Sequence, residues 1–364
     1  MPKLTGNKGE WSEIYVFLRL LEAGKLYAAD ADLNKIEDVF YNIINIVRTE
    51  NIGALEFRVD RASGRVSVYN TDTSAVLLDL SSEEFACAAN NLYNEIITAN
   101  TPSFSSEGTE AFLDRISVST LKAKSNDKAD IRIKIHDINT GYESVQGFSI
   151  KSRLGSASTL VNAGKTTNFI YEITGNVDDN VMTEFNNCSK LFKSKFEYLY
   201  DNAGYGLSYV GMENDIFESN LLLIDGDLPE ICAHMLERYY SSGAITVENA
   251  LEAIVESNPM HYNLSKGHPF YQYKFKKFLT ESALGMLPSK AWDGTADATG
   301  GYIIVREDGE VLCYHLFNRN EFENYLVKNT KFETASTSRH QFGSIYKEND
   351  KYYLKLNLQV RFIH

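Results

Sequence analysis

The segment KADIRIKIHDINTGYESVQGFSIKSRLG, residues 128–155, restricts the fold more than any other stretch of the chain. Ile131, Ile133 and Ile135 alternate with Arg132, Lys134 and His136, a period of two that only a half-buried strand satisfies. After Asn-Thr-Gly the alternation resumes, with Phe148 and Ile150 on one face and Gly147, Ser149 and Lys151 on the other. The pair reads as a β-hairpin. A two-residue loop at Thr140-Gly141 pairs Asn139 with Tyr142 and, counted outwards, sets Asp130 opposite Lys151. Residues so opposed share a sheet face with side chains about 5 Å apart. A longer loop shifts this register, yet the polar faces of the two strands still coincide.

Elsewhere, helical spacing marks 10–23, where Ile14, Phe17, Leu18 and Leu21 recur before Gly24, and also 35–50, 81–99 and 109–117. Ser81-Ser82-Glu83-Glu84 forms a capping signature for the third of these. LEFRVDRASGRVSVYN, residues 55–70, reads as a hairpin, and NFIYEITG, from Asn168, as a third strand of the sheet that holds Lys151. Further helices are expected at 180–200, 228–241, 246–257, 269–283 and 320–328. Hairpins are expected about Asp308-Gly309 and about Glu348-Asn349-Asp350. The class is α+β (mixed α/β), with one unit over 1–200 and a second over 201–364.

The 364 residues suit one elaborated domain or two, and 43% hydrophobic with 23% charged residues is enough for a substantial core. No apolar run approaches the ~20 residues that span a bilayer, and MPKLTGNKGEW lacks a signal-peptide core. Cys87, Cys188, Cys232 and Cys313 follow no zinc spacing, so a reduced cytoplasmic protein without structural zinc is expected. A net charge of −13 excludes a uniformly basic nucleic-acid coat. Between Ser119 and Gly155, however, Lys122, Lys124, Lys128, Arg132, Lys134, Lys151 and Arg153 outnumber Asp127, Asp130, Asp137 and Glu143. An anionic ligand belongs at this local excess.

An Asp and a Lys on adjacent strands suit metal-dependent phosphodiester chemistry, with carboxylates holding Mg²⁺ beside the scissile phosphate and a lysine orienting water. Taken alone, the two residues suit a cross-strand salt bridge worth about 0.2–1 kcal/mol better. A third element bears on the choice: Lys8-Gly9 followed by Glu13 opens the first amphipathic helix and resembles the KGxxxE motif of PD-(D/E)xK nucleases. Ser149 stands where that superfamily's half-motif has an acid, and a neutral oxygen is a poor substitute on Mg²⁺. The missing carboxylate is therefore assigned to Glu13, with Glu10 and Glu172 in reserve and the Gln146 amide as a further oxygen donor.

Over longer runs the chain resembles the HpaII family of type II restriction endonucleases. The runs are GNKGEWSEIYVFLRLLEAGKLYAADADLN, GFSIKSRLGSASTLVNAGKTTNFIYEI and STSRHQFGSIYKENDKYYLKLNLQVRF, at the beginning, middle and end. The resemblance implies a PD-(D/E)xK core sheet flanked by helices, with additional helical and C-terminal β elements that read DNA. It also implies Mg²⁺-dependent cleavage of double-stranded DNA within CCGG, in a cytoplasmic enzyme functionally paired with, and not physically bound to, a methyltransferase. Carried over, the site falls on Glu13, Asp130 and Lys151, with Ser149 at the substituted position and Asp130 and Glu13 as metal ligands. A palindromic target favours a homodimer.

DNA contacts are expected from the small polar run after Lys151. There Arg153 and Lys165 would meet phosphates, and Ser156, Ser158, Thr159, Asn162 and Asn168 would approach a groove. An ordinary Gly/Ser/Thr connection explains the same residues. Arg339 and His340 are candidates for guanine readout or plain surface residues. Arg58 and Arg61 precede the lysine strand and are set aside, and His136 reads as a surface or phosphate-contacting group. Walker, Rossmann and HExxH motifs are absent, which removes the commonest NTPase, dehydrogenase and zinc-protease readings. Two alternatives stay open: a sequence-specific DNA-binding protein that has lost catalysis, and a soluble protein with a chance motif and no salt-dependent DNA affinity.

Overall fold

A computed structural model describes residues 4–122, 129–138, 140–188, 191–201, 204–243 and 245–363. Lys124, Asp127 and Lys128 of the basic window, and Asn139 of the expected hairpin pair, lie outside them. The chain runs α1 (Lys8–Ala23), β1 (Lys25–Ala29), β2 (Lys35–Glu50), β3 (Gly53–Asp60), β4 (Arg65–Asn70), β5 (Ala75–Ser81), α2 (Ser82–Thr98) and α3 (Glu107–Arg115). It continues with β6 (Ile131–Asp137), β7 (Glu143–Ser152), β8 (Thr159–Val161), β9 (Asn168–Thr174), α4 (Asp179–Asn187), α5 (Phe192–Asp201), β10 (Gly206–Met212) and α6 (Asp215–Ile224). Next come α7 (Leu228–Ser242), α8 (Val247–Ser257), α9 (Phe270–Leu284), β11 (Gly301–Val305), β12 (Val311–His315) and α10 (Arg319–Lys328). The chain closes with β13 (Thr330–Phe332), α11 (Thr337–His340), β14 (Ile345–Glu348), β15 (Lys351–Asn357) and β16 (Val360–Phe362).

Two units result, the first from residues 1–158 and 296–325, the second from 159–295 and 326–364. This partition differs from the one expected at residue 200. Residues 159–200 cluster with the second unit, and the β11–β12 hairpin returns to the first because β11 pairs in parallel with β7.

The first unit is built on a nine-stranded sheet of order β1-β12-β11-β7-β6-β2-β3-β4-β5. Pairing of β1 with β2 closes the first six of these strands into a ring. Helix α1 buries Trp11, Ile14, Phe17, Leu18 and Leu21 in one core with Ile43, Ile46, Ile131, Ile133, Ile135, Phe148, Ile150 and Ile303. In the second unit β10-β9-β15-β14 and β13-β16-β8 form separate sheets, and α7 and α9 bury Ile231, Leu236, Phe275 and Phe278.

Two expectations fail for identifiable reasons. Residues 35–50 form strand β2 and not a helix. The register of β2 against β6 shifts between Ile43 and Asn45, so Ile44 is an inserted bulge residue. Ile43 and Ile46 consequently enter the same core at a spacing of three, which imitates helical periodicity. The density of Ile and Val in the segment agrees with the strand. Strand β9 pairs with β10 and β15 in the second unit and is not a third strand beside β6 and β7.

At the end of β2 a charged pair is buried. Arg48 Nε donates to Glu50 Oε1 at 2.8 Å, and both side chains are at most 4% exposed. Arg48 Nη2 also donates to the Thr120 carbonyl at 2.7 Å, while Glu50 Oε2 accepts from Ser119 N and Oγ at 2.9 and 2.8 Å. Removing one member leaves the other buried without its counter-charge. Arg48→Met is therefore expected to lower unfolding free energy by about 3–5 kcal/mol in a denaturant titration.

Candidate active site

Strand β7 is hydrogen-bonded on both edges, antiparallel to β6 and parallel to β11. Ile131 faces Phe148 and Arg132 faces Gly147, and the Asp130 N–H donates to the Phe148 carbonyl at 2.9 Å. This register continues to Asp130 opposite Ser149, two residues from the expected Lys151. The turn is longer than two residues: Asp137 N donates to Tyr142 O at 3.0 Å, and Gly141 N to Asp137 O at 2.8 Å. Asp137 drives it, its Oδ2 accepting from Thr140 Oγ1 at 2.7 Å. Because the shift is even, face assignments survive; an odd shift would have inverted them.

The consequence falls on Ser149. Its Oγ donates to Asp130 Oδ2 at 3.1 Å, and the Ile150 N–H donates to the same oxygen at 2.7 Å. Ser149 thus aims a carboxylate and is not held out as a ligand in its own right. Among the described residues Asp130 Oδ1 keeps no hydrogen-bond partner.

Glu13 arrives from α1. Asn7 caps that helix, its Oδ1 accepting from Glu10 N at 3.0 Å while Glu10 Oε2 accepts from Asn7 N at 2.9 Å. One turn on, the Ser12 hydroxyl donates to the Lys8 carbonyl at 2.7 Å and shares a hydrogen bond with Ser152 Oγ at 2.8 Å. This link joins the residue before Glu13 to the residue after Lys151. Glu13, half-buried, has a carboxyl pushed up to about 8, chiefly by burial and then by the charge of Asp130, against the opposing pull of Lys122 and Arg48. Burial also lowers the affinity of the Lys151 ammonium for its proton, although Asp130 and Glu13 oppose this. Lys151 Nζ stands 5.3 Å from the centre of the Tyr302 ring.

Glu13 and Lys151 open into a cleft of about 760 Å³ whose walls include Asn7, Lys8, Gly9, Ser152, Ser156 and Ser158. Among the described residues no cluster of three or more His, Cys, Asp or Glu side chains forms a metal centre. Two carboxylates with uncommitted oxygens still suit Mg²⁺, which commonly takes one or two protein carboxylates and fills its shell with water and phosphate. Burial is the main cause of the upward shift of Glu13 and the neighbouring Asp130 charge the second, and a divalent cation bound there would favour the ionised carboxylate.

The other expected residues divide between the two units. Arg153 is engaged by the Tyr325 phenol, and its own N–H donates to Val305 O at 2.9 Å. In the second unit Asn162, Lys165 and Arg339 are exposed and His340 is half-buried, while Thr159 Oγ1 accepts from Arg361 Nε at 3.4 Å. Asn168 is corrected: it is fully buried, donating to Glu213 Oε2 at 2.7 Å and to His340 O at 2.9 Å, and accepting from Asn357 Nδ2 at 2.7 Å. No face of its amide remains for DNA. Glu172 pairs with Lys351 at 2.9 Å within the second unit, and Gln146 Nε2 donates to Ser144 Oγ at 2.8 Å. The reserve Glu10 lies on α1 one turn before Glu13 and pairs with Lys122 at 3.3 Å.

Sequence reasoning missed Arg48 and noted Lys122 only within the basic window. It also missed a cleft of about 550 Å³ next to α11, lined by Thr337, Ser338, Gln341, Tyr346 and Lys355. Gln341 has φ of +55°, a left-handed conformation uncommon outside glycine and asparagine.

Residues 7–362 match the family described as HpaII restriction endonuclease. Type II restriction enzyme HpaII of Haemophilus parainfluenzae is 41% identical over 360 residues, covering 99% of each chain. No solved structure matches. The match spans α1 through β16, including both elements that carry Glu13 and Lys151, and the chain therefore belongs to the HpaII restriction endonuclease family.

Proposed function

We propose that this site-specific endonuclease hydrolyses a phosphodiester of double-stranded DNA, with Mg²⁺ held by Glu13 and Asp130, in the manner of PD-(D/E)xK nucleases. The observation that supports it most is the convergence of Glu13, Asp130 and Lys151, from α1, the start of β6 and β7, as electrostatic neighbours. The cation, when bound, supplies positive charge to the phosphate and acidifies water. Ser149 and the Ile150 N–H fix Asp130 through Oδ2 and leave Oδ1 uncommitted. Lys151, less firmly protonated than a surface lysine, orients the attacking water and offers positive charge to the phosphorane as it develops. Glu13 supplies the carboxylate that Ser149 cannot.

The target CCGG is the expectation of the family resemblance, and a palindrome favours a homodimer on DNA. Arg153, Ser156 and Ser158 in the first unit, and Thr159, Asn162, Lys165, Arg339 and His340 in the second, remain proposed DNA contacts. A cognate methyltransferase is expected as a functional partner. The cytoplasm is the proposed compartment, and no helix among the described residues is long and apolar enough to cross a membrane.

Digestion of plasmid with Mg²⁺ and mapping of the ends should give cuts within one short sequence. Asp130→Ala and Lys151→Ala should each slow cleavage by about 10²–10³-fold or more while still shifting DNA on a gel. Wild-type rates in both would remove the assigned site. Wild-type protein that binds but never cuts would favour the catalytically impaired alternative.

Ser149→Ala should reduce cleavage by roughly 10–100-fold, as expected for a residue that orients a ligand, with thermal stability changed little. Stability in EDTA should also depend on pH. Folded Glu13 keeps its proton up to about 8 instead of the ordinary 4.5, so the folded state binds more protons between those limits. Stability should accordingly fall as pH rises from about 4.5 to 8, and Glu13→Gln should flatten that dependence in denaturant midpoints. An unchanged slope in the variant would show that Glu13 titrates normally.

A further inference from the structure

Lys122 lies where the buried Arg48–Glu50 pair leads. That pair holds the Ser119 amide and hydroxyl and the Thr120 carbonyl, and Thr120 Oγ1 donates in turn to the Lys122 carbonyl at 2.7 Å. Leu121, between them, is 8% exposed and packs against Gly6 at the approach to α1. Two buried charges are a costly way to fix a connecting segment, and the cost is understandable if the segment has a side chain to position. Lys122 is that side chain: an exposed ammonium, 3.3 Å from Glu10 Oε1 and within electrostatic reach of Glu13 and Asp130.

We propose that Lys122 is a second cation of the active site, parked on Glu10 in the free protein and transferred to a backbone phosphate next to the scissile one when DNA binds. The proposal rests on the nuclease reading above and adds a substrate contact to it. The Glu10 pair is suited to such exchange. It is solvent-exposed on the lysine side, at 63%, so it is weakly held and screened by salt. Glu10 stays satisfied after release, since its Oε2 continues to accept from the Asn7 N–H. Arg48 cannot take this role, being committed to Glu50 and Thr120 in the interior.

The test uses the full-length protein and a duplex fragment that the wild type cuts. Binding is measured by gel shift in EDTA across a salt series, and single-turnover cleavage is measured with Mg²⁺. Lys122→Ala should flatten the dependence of log affinity on log salt by about one unit and slow cleavage. Lys122→Arg should restore the slope, and Glu10→Gln, which keeps the capping acceptor, should bind more tightly than wild type. Wild-type slope and rate in Lys122→Ala, or equal impairment of the Ala and Arg variants, would overturn the assignment. Lys151→Ala, run in parallel, separates the two readings. If it cuts like wild type the nuclease site itself is wrong; if it is inactive while Lys122→Ala is normal, only the role of Lys122 falls.

Discussion

The two-sided hydrogen bonding of β7 is the constraint on which the site depends. With β6 on one edge and β11 on the other, the strand cannot slide by a residue without breaking both ladders and turning its core face outward. Lys151 is therefore delivered to one place by backbone geometry alone. The same geometry presents the Ile150 N–H to Asp130, so one strand fixes both the lysine and the carboxylate. Helix α1 is then registered against β7 by buried apolar contacts and by the Ser12–Ser152 hydrogen bond.

The chemistry of the site is one of deliberate imbalance. A carboxylate pushed towards its neutral form and a lysine with a weakened hold on its proton share a partly dry cleft. Each is costly to keep there, and groups perturbed in this way cluster where catalysis occurs. Ser149 contributes by removing one charge. With an acid there, Asp130 would face a like charge directly across the ladder; with serine, it gains a hydrogen-bond donor. The carboxylate proposed to complete the site lies on a separate element, helix α1, where Glu13 is half-buried.

Period-two alternation was enough to place Asp130, Ser149 and Lys151 on one face, because face membership depends only on parity. The register itself depended on an Asp-Thr side-chain contact in the turn, which alternation does not encode. The helices at α1, α2 and α7 to α10 were legible from apolar spacing and caps, whereas β2 was misread because a bulge reproduces helical spacing. Asn168 looked like any small polar loop residue. Its burial comes from partners 45, 172 and 189 positions away, and local pattern cannot report them. The place of Lys122 beside the site was invisible for a similar reason, since it is set by a charge pair on a distant strand.

The division of the first unit into two separated stretches of chain has a consequence for synthesis. The strand β7 is complete at Ser152, but its parallel neighbour begins only at Gly301. At about 5–20 residues per second, the ribosome takes on the order of ten seconds to make the intervening chain. During that interval the lysine-bearing strand has one open edge and the six-stranded ring cannot close. A nascent chain therefore carries Glu13, Asp130 and Lys151 well before β7 is paired on both edges. The ring around β7 is completed late in synthesis, once β11 and β12 join it.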